Sequence, residues 1–150
     1  MARAKVILTR TASTTLSVGT VYCPAAAMRR FGVYEYKIGS DATPADAVFR
    51  FEFPRTSTVG TIGAGVTPNP TDPAEAALVT LAEQAPTVDP TLGALMDAIP
   101  LNQRATFRDM AYDRDDQIIV PATANNGLAV RTPVASSLVS VYARLSIDEH

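Results

Sequence analysis

Short runs of alternating apolar and polar residues, punctuated by turn formers, dominate this chain. The longest is Ser137–Ile147. In it Val139, Val141, Ala143, Leu145 and Ile147 fall on one side, and Ser140, Tyr142, Arg144 and Ser146 on the other. A period of two over that length marks a half-buried strand, because successive strand side chains point to opposite faces. Val48–Phe53 repeats the pattern, with Phe49, Phe51 and Phe53 opposite Arg50 and Glu52. Pro54 has no N–H to give a ladder and is expected to close that strand. Lys5–Thr9, Thr14–Tyr22, Phe31–Ile38, Thr91–Ile99, Arg104–Met110, Gln117–Val120 and Leu128–Arg131 bring the candidate strands to nine. Many short strands with frequent turn signals predict an all-β fold, an antiparallel sandwich or barrel of eight to ten strands. The expected core comprises Phe49, Phe51, Ile119, Val139, Val141 and Leu145.

The punctuation is chemically specific. Asn and Gly tolerate positive φ best, so Asn125-Asn126-Gly127 predicts a tight reversal between Val120 and Leu128. Asp113-Arg114-Asp115-Asp116 reads as a polar hairpin tip joining Arg104–Met110 to Gln117–Val120. Asp72-Pro73-Ala74-Glu75 matches a helix start: a capping acceptor, Pro at the first position, Glu at the third. It opens either one short helix within Pro73–Ala85 or, the preferred reading amid β structure, a loop leading to a strand at Leu78–Leu81. The Gly-, Thr-, Pro- and Asn-rich Thr58–Thr71 is expected to be an exposed loop.

Composition narrows the function. At 150 residues the chain is expected to form a single domain. Its 38 Val, Ile and Thr residues reinforce the β reading. With 13 basic against 15 acidic residues, a nucleic-acid binder relying on bulk positive charge is disfavoured. The one Cys, Cys23, allows no intramolecular disulfide, and the one His, His150, speaks against a Ser-His-Asp triad or a zinc enzyme. The chain is therefore expected not to be an enzyme and to need no cofactor. No run approaches the apolar length of a signal sequence or a membrane span, so no membrane partner is expected.

Each candidate site also admits a plainer role. Asp113, Asp115 and Asp116 lack the spaced ligands and closing Glu of a calcium loop, and read as a solvated turn, so no metal site is expected. Asp41 and Asp46 admit a catalytic carboxylate pair but fit a turn cap and an exposed acid better. Tyr22, Tyr34 and Tyr36 offer a sugar-stacking platform, Tyr34 and Tyr36 sharing a strand face by parity; half-buried edge tyrosines are the plainer reading. Arg supplies 11 of the 13 cations. Its planar fork suits protein interfaces, which makes Arg29, Arg30, Arg104 and Arg108 candidate partner contacts. Arg104 and Arg108 are expected on one face of one strand.

Four segments resemble small structural proteins of tailed-bacteriophage virions: Ile38–Asp46 (IGSDATPAD), Val66–Glu75 (VTPNPTDPAE), Ile99–Phe107 (IPLNQRATF) and Val120–Gly127 (VPATANNG). A closing strand that ends in acids, Ile147-Asp148-Glu149, fits as well. The resemblance runs from Met28 onward; Asp109-Met110 departs from it where an aromatic is expected. It implies a jelly-roll-like β-sandwich acting as a capsid decoration (cement) protein. It also implies a homotrimer that binds the major capsid protein on the virion surface after synthesis in the host cytoplasm. Residues 1–27, which carry no matching segment, and the 58–71 loop are then candidate arms ordering on the shell. The alternative is a tail, fibre or host-attachment β-domain that binds a surface glycan, since similar sandwiches serve as lectins.

Overall fold

The computed structural model describes residues 2–135, 137 and 139–150; Leu138 of the closing alternation lies outside them. Among the described residues there is no helix and there are twelve strands. They are β1 (Ala2–Thr11), β2 (Gly19–Tyr22), β3 (Phe31–Ala42), β4 (Val48–Thr56), β5 (Ala64–Val66) and β6 (Asn69–Pro70), followed by β7 (Leu81–Gln84), β8 (Leu92–Asn102), β9 (Thr106–Met110), β10 (Ile118–Val120), β11 (Gly127–Ala135) and β12 (Ser140–Glu149). All pairings are antiparallel. One sheet runs β10-β3-β12-β1-β6, with β9 also on β3; the other runs β5-β7-β2-β11-β4-β8.

The alternation explains how the two sheets meet. Ala4, Val6 and Leu8 of β1 and Val141, Ala143, Leu145 and Ile147 of β12 are buried on one side of the core. Phe49, Phe51 and Phe53 of β4 and Leu128 and Val130 of β11 are buried on the other. The chain thus forms an antiparallel β-sandwich. With β5 to β7 set aside and β9 and β10 counted as one strand, eight strands remain, ordered 1-8-3-6 and 2-7-4-5. First pairs with last, second with seventh, third with sixth and fourth with fifth. This is a long hairpin rolled into two sheets, the jelly-roll order.

The segment between β4 and β8 adds to this scaffold. Residues 58–71 are largely exposed, as expected, but are not all loop: they supply β5 and β6. β5 pairs with β7 beyond β2, while β6 pairs with β1, so both sheets are widened on the same side. Side-chain latches hold the insertion down. Glu149 Oε1 accepts from the N–H of Val79 at 2.9 Å, and from the N–H and hydroxyl of Thr80 at 2.7 and 2.8 Å. Asp72-Pro73-Ala74-Glu75 is a turn and not a helix start: Asp72 Oδ1 accepts from the Ala74 N–H, an Asx turn. The strand that follows is Leu81–Gln84, three residues later than expected at its start.

Further expectations are corrected. Residues 1–27 are not an arm, since β1 and β2 are interior strands of the two sheets. Pro54 does not end β4, which continues to Thr56, because the β4–β8 ladder shifts register on either side of Pro54. Pro100 lies within β8, an edge strand, where a missing donor is tolerated. Five of the six expected core residues are buried; Ile119 is half-buried. It pairs with Gly32, whereas its neighbours Ile118 and Val120 pair with the buried Val33 and Phe31, so Ile119 takes the opposite face. Nor is Asp113–Asp116 a hairpin tip: β9 and β10 do not pair with each other but follow one another along the same edge of β3. Asn125 does take positive φ (64°), but the chain there crosses from one sheet to the other.

Candidate functional site

Among the described residues, two surfaces next to β3 combine exposed apolar or aromatic groups with polar ones. Both stem from β3. Its register with β12 slips between the pairs Glu35–Ser146 and Val33–Ile147, leaving Tyr34 as an extra, bulged residue. The bulge reverses the parity, so Phe31 and Val33 before it and Tyr36 and Ile38 after it are all buried. At the same level the opposite edge partner is interrupted, because residues 111–117 are extruded between β10 and β9.

The first surface is the side of the sandwich formed by β8 and β9. β8 is eleven residues long and lies at the end of its sheet, with β4 as its one neighbour. Leu95 and Met96 on it are exposed, as are Phe107 and Met110 on β9. Two polar links tie the sheets together here: the Tyr36 hydroxyl donates to Asp97 Oδ2, and the Arg55 guanidinium donates to the Ile119 carbonyl. Burial raises the Tyr36 phenol above its ordinary pKa, and the hydrogen bond to Asp97 and the charges of Asp97 and Asp109 raise it further. Its ring packs 4.5 Å from that of Phe53 and 6.4 Å from that of Phe107. Glu35 is buried behind the same edge. Burial alone would raise its carboxyl, but hydrogen bonds from Ser146 and Arg108 and the charge of Arg144 outweigh that and hold it below 4.5. Ser146 Oγ lies 2.7 Å from Oε2, and Arg108 Nε and Arg144 Nη2 lie 2.5 and 2.8 Å from Oε1.

The second surface is a recess of about 380 Å³ on the outer face of the β3 sheet. One cross-strand row, Arg3–Asp148–Gly32–Ile119, runs through β1, β12, β3 and β10. Their neighbours Ala4 and Ile147 face the core, so Arg3 and Asp148 face outward. The Arg3 guanidinium sits over the Tyr34 ring, 5.1 Å from its centroid. Asp148 is buried, with Oδ2 3.8 Å from Arg3 Nε and no hydrogen-bond partner at Oδ1. Gln117 Oε1 also lacks a partner. It occupies the space where any residue but Gly at position 32 would place its Cβ. Tyr112 stands fully exposed at the rim.

The four candidate arginines are not brought together. Arg29 and Arg30 precede β3, while Arg108 pairs with Lys37 in the middle of that strand, on the order of 20 Å along it. Arg104 and Arg108 do not share a strand: Arg104 lies in the turn before β9, its N–H donating to Asn102 Oδ1. Arg108 is committed to Glu35, and Arg29 stands 3.9 Å from Glu149. Nor do Tyr34 and Tyr36 share a face, since the bulge separates them, and Tyr22 lies on β2 in the other sheet. The outer recess was missed because its residues come from both ends of the chain and an extruded loop. The Asp113 carboxylate accepts from the N–H groups of Asp115 and Asp116 at 2.8 and 3.3 Å, shaping that loop. Asp46 accepts from Asn102, and Asp41 is exposed. Cys23 is a buried free thiol. No family model matches the chain, and no curated protein matches it.

Proposed function

We propose that this protein is a bacteriophage capsid decoration protein, a non-enzymatic homotrimer that binds between subunits of the major capsid protein on the virion surface. The observation that carries this reading is the open β8 edge with its exposed Leu95 and Met96, beside Phe107 and Met110 of β9. A long edge strand presents a row of backbone donors and acceptors, and apolar side chains along it favour contact with another protein. The segments that resemble tailed-phage virion proteins supply the kind of partner, and the jelly-roll order agrees with the fold that resemblance implies. Local threefold positions of an icosahedral shell match a trimer, in which each copy's edge meets a different surface of the next. The exposed Arg29, Arg30 and Arg104 remain available as rim contacts; Arg108 serves by holding β9 to Glu35.

Light scattering measures the stoichiometry, and co-sedimentation with capsids lacking this protein measures the binding. A trimer that sediments with assembled capsids, and not with free capsid subunits, supports the reading. A monomer that fails to sediment with capsids yet binds host cells overturns it in favour of an attachment domain.

A further inference from the structure

We propose that the recess on the outer face of the β3 sheet is a binding site for a neutral saccharide. This does not rest on the capsid reading, because sugar binding and capsid sedimentation are separate readouts.

Three features of the recess point to that ligand class. The first is the unpartnered acceptors. Asp148 is 2% exposed, yet its Oδ1 has no donor, and Gln117, which lines the same recess, has none at Oε1. Leaving a buried carboxylate oxygen without a donor is costly, and both oxygens are closed to solvent, so a ligand hydroxyl that displaces the Gln117 side chain and donates to Asp148 is favoured there. The second is charge balance. Arg3 and Arg114 line the recess together with Asp113 and Asp148, two cations against two anions. Such a set does not select a charged ligand. It suits hydroxyl groups, each of which donates to a carboxylate or amide oxygen and accepts from a guanidinium. The third is the aromatic pair. Tyr34 forms a wall, and Tyr112 stands at the rim with 98% of its surface exposed. An exposed tyrosine ring beside polar groups offers an apolar face for the C–H side of a pyranose and a hydroxyl for its edge. The volume of about 380 Å³ accommodates one or two sugar rings.

The local chain geometry explains why the site exists. The Tyr34 bulge and the extruded 111–117 segment open the sheet edge at one level, and Gly32 leaves room for Gln117 to lie across the row. A substitution Gly32→Ala would push Gln117 out of the recess.

The test is an NMR titration of the ¹⁵N-labelled protein with the methyl glycosides of glucose, galactose, mannose and N-acetylglucosamine, and with inorganic phosphate as the charged probe. The expected result is saturable shifts at Tyr34, Tyr112 and Gln117 with at least one glycoside, and none with phosphate. Tyr112→Ala, whose ring touches no core, should weaken binding about tenfold, and Asp148→Asn by a similar factor. Three results overturn the proposal. One is the absence of saturable shifts up to about 50 mM of every glycoside, the weak limit for a ligand of this size. Another is phosphate binding as tightly as the best glycoside. The last is glycoside binding that Tyr112→Ala leaves unchanged.

Discussion

The two sides of the sandwich are finished in opposite ways. On the β5–β7 side, the segment between β4 and β8 widens both sheets with strands of two to four residues, and such short edges resist pairing with another chain. Inside that side, however, Glu83 is fully buried with no donor in good alignment. Burial pushes its carboxyl up to about 6; the nearby Thr20 hydroxyl, the Gly63 N–H and Arg10 pull it down, and Asp89 adds to the rise. On the β8–β9 side the order is reversed. Its buried carboxylate, Glu35, meets a serine and two arginines, while its eleven-residue edge stays open with apolar groups exposed. Burial therefore does not by itself set the state of a carboxylate, and an added strand does not by itself satisfy the interior. The side whose buried carboxylate is paired is the one whose edge strand stays open.

The scale for breaking this arrangement is set by the core that both sides share. Phe51 is fully buried, its ring 4.8 Å from that of Phe49. Phe51→Ala should lower the unfolding free energy by about 3–5 kcal/mol in chemical denaturation. A loss below about 1 kcal/mol would show that Phe51 does not hold the sheets together.

The next effect separates the two glutamates by pH. Glu83 binds its proton more tightly in the folded chain than at its ordinary 4.5. Its neutral form stabilises the fold fully below about pH 4.5, and that contribution is lost as pH rises through about 6. Glu83→Gln should then be more stable than the parent by up to about 2 kcal/mol above pH 6, with the difference fading below pH 4.5. Glu35 has the opposite sign: its contribution is present above its ordinary value and is lost as pH falls through its lowered one. Glu35→Gln should therefore cost stability near pH 7 and little in strong acid. Denaturation midpoints across pH for the two variants check this, and parallel profiles would dissolve the contrast.

Tyr36→Phe removes the hydroxyl that links β3 to Asp97 of β8 and should cost about 1.5 kcal/mol, since hydrogen bonds to charged groups are among the stronger ones. Smallest of all in stability is Leu95→Lys on the open edge. It should change the unfolding free energy by less than about 0.5 kcal/mol, because the side chain is exposed.

The contrast between the sides was only partly legible in the sequence. Strict alternation in Val48–Phe53 and Ser137–Ile147 revealed β4 and β12 and the residues they bury, because a half-buried strand writes its period into the chain. The short strands β5, β6 and β7 carry no such period. β6 is held by the backbone of β1 and β7 by that of β2, with β5 on β7, and Glu149 fastens the residues before β7; these anchors lie 65 or more residues away in places. The parity of Tyr34 and Tyr36 was misread for a related reason. A bulge is a property of two paired strands, and nothing in Phe31–Ile38 alone signals the slip against Ser146 and Ile147. Arg108 likewise read as a free contact residue, because Glu35, its partner, comes 73 positions earlier.

On the proposed function, the open β8–β9 side is the side that binds the capsid. The most direct measurement is co-sedimentation of the Leu95→Lys, Met96→Lys double variant with capsids lacking this protein, beside a matched Leu81→Lys, Val88→Lys variant on the covered side. Both variants replace exposed residues, so both should fold as the parent does. The first should lose capsid binding and the second should keep it. Equal binding by both, or loss confined to the covered-side variant, would contradict it.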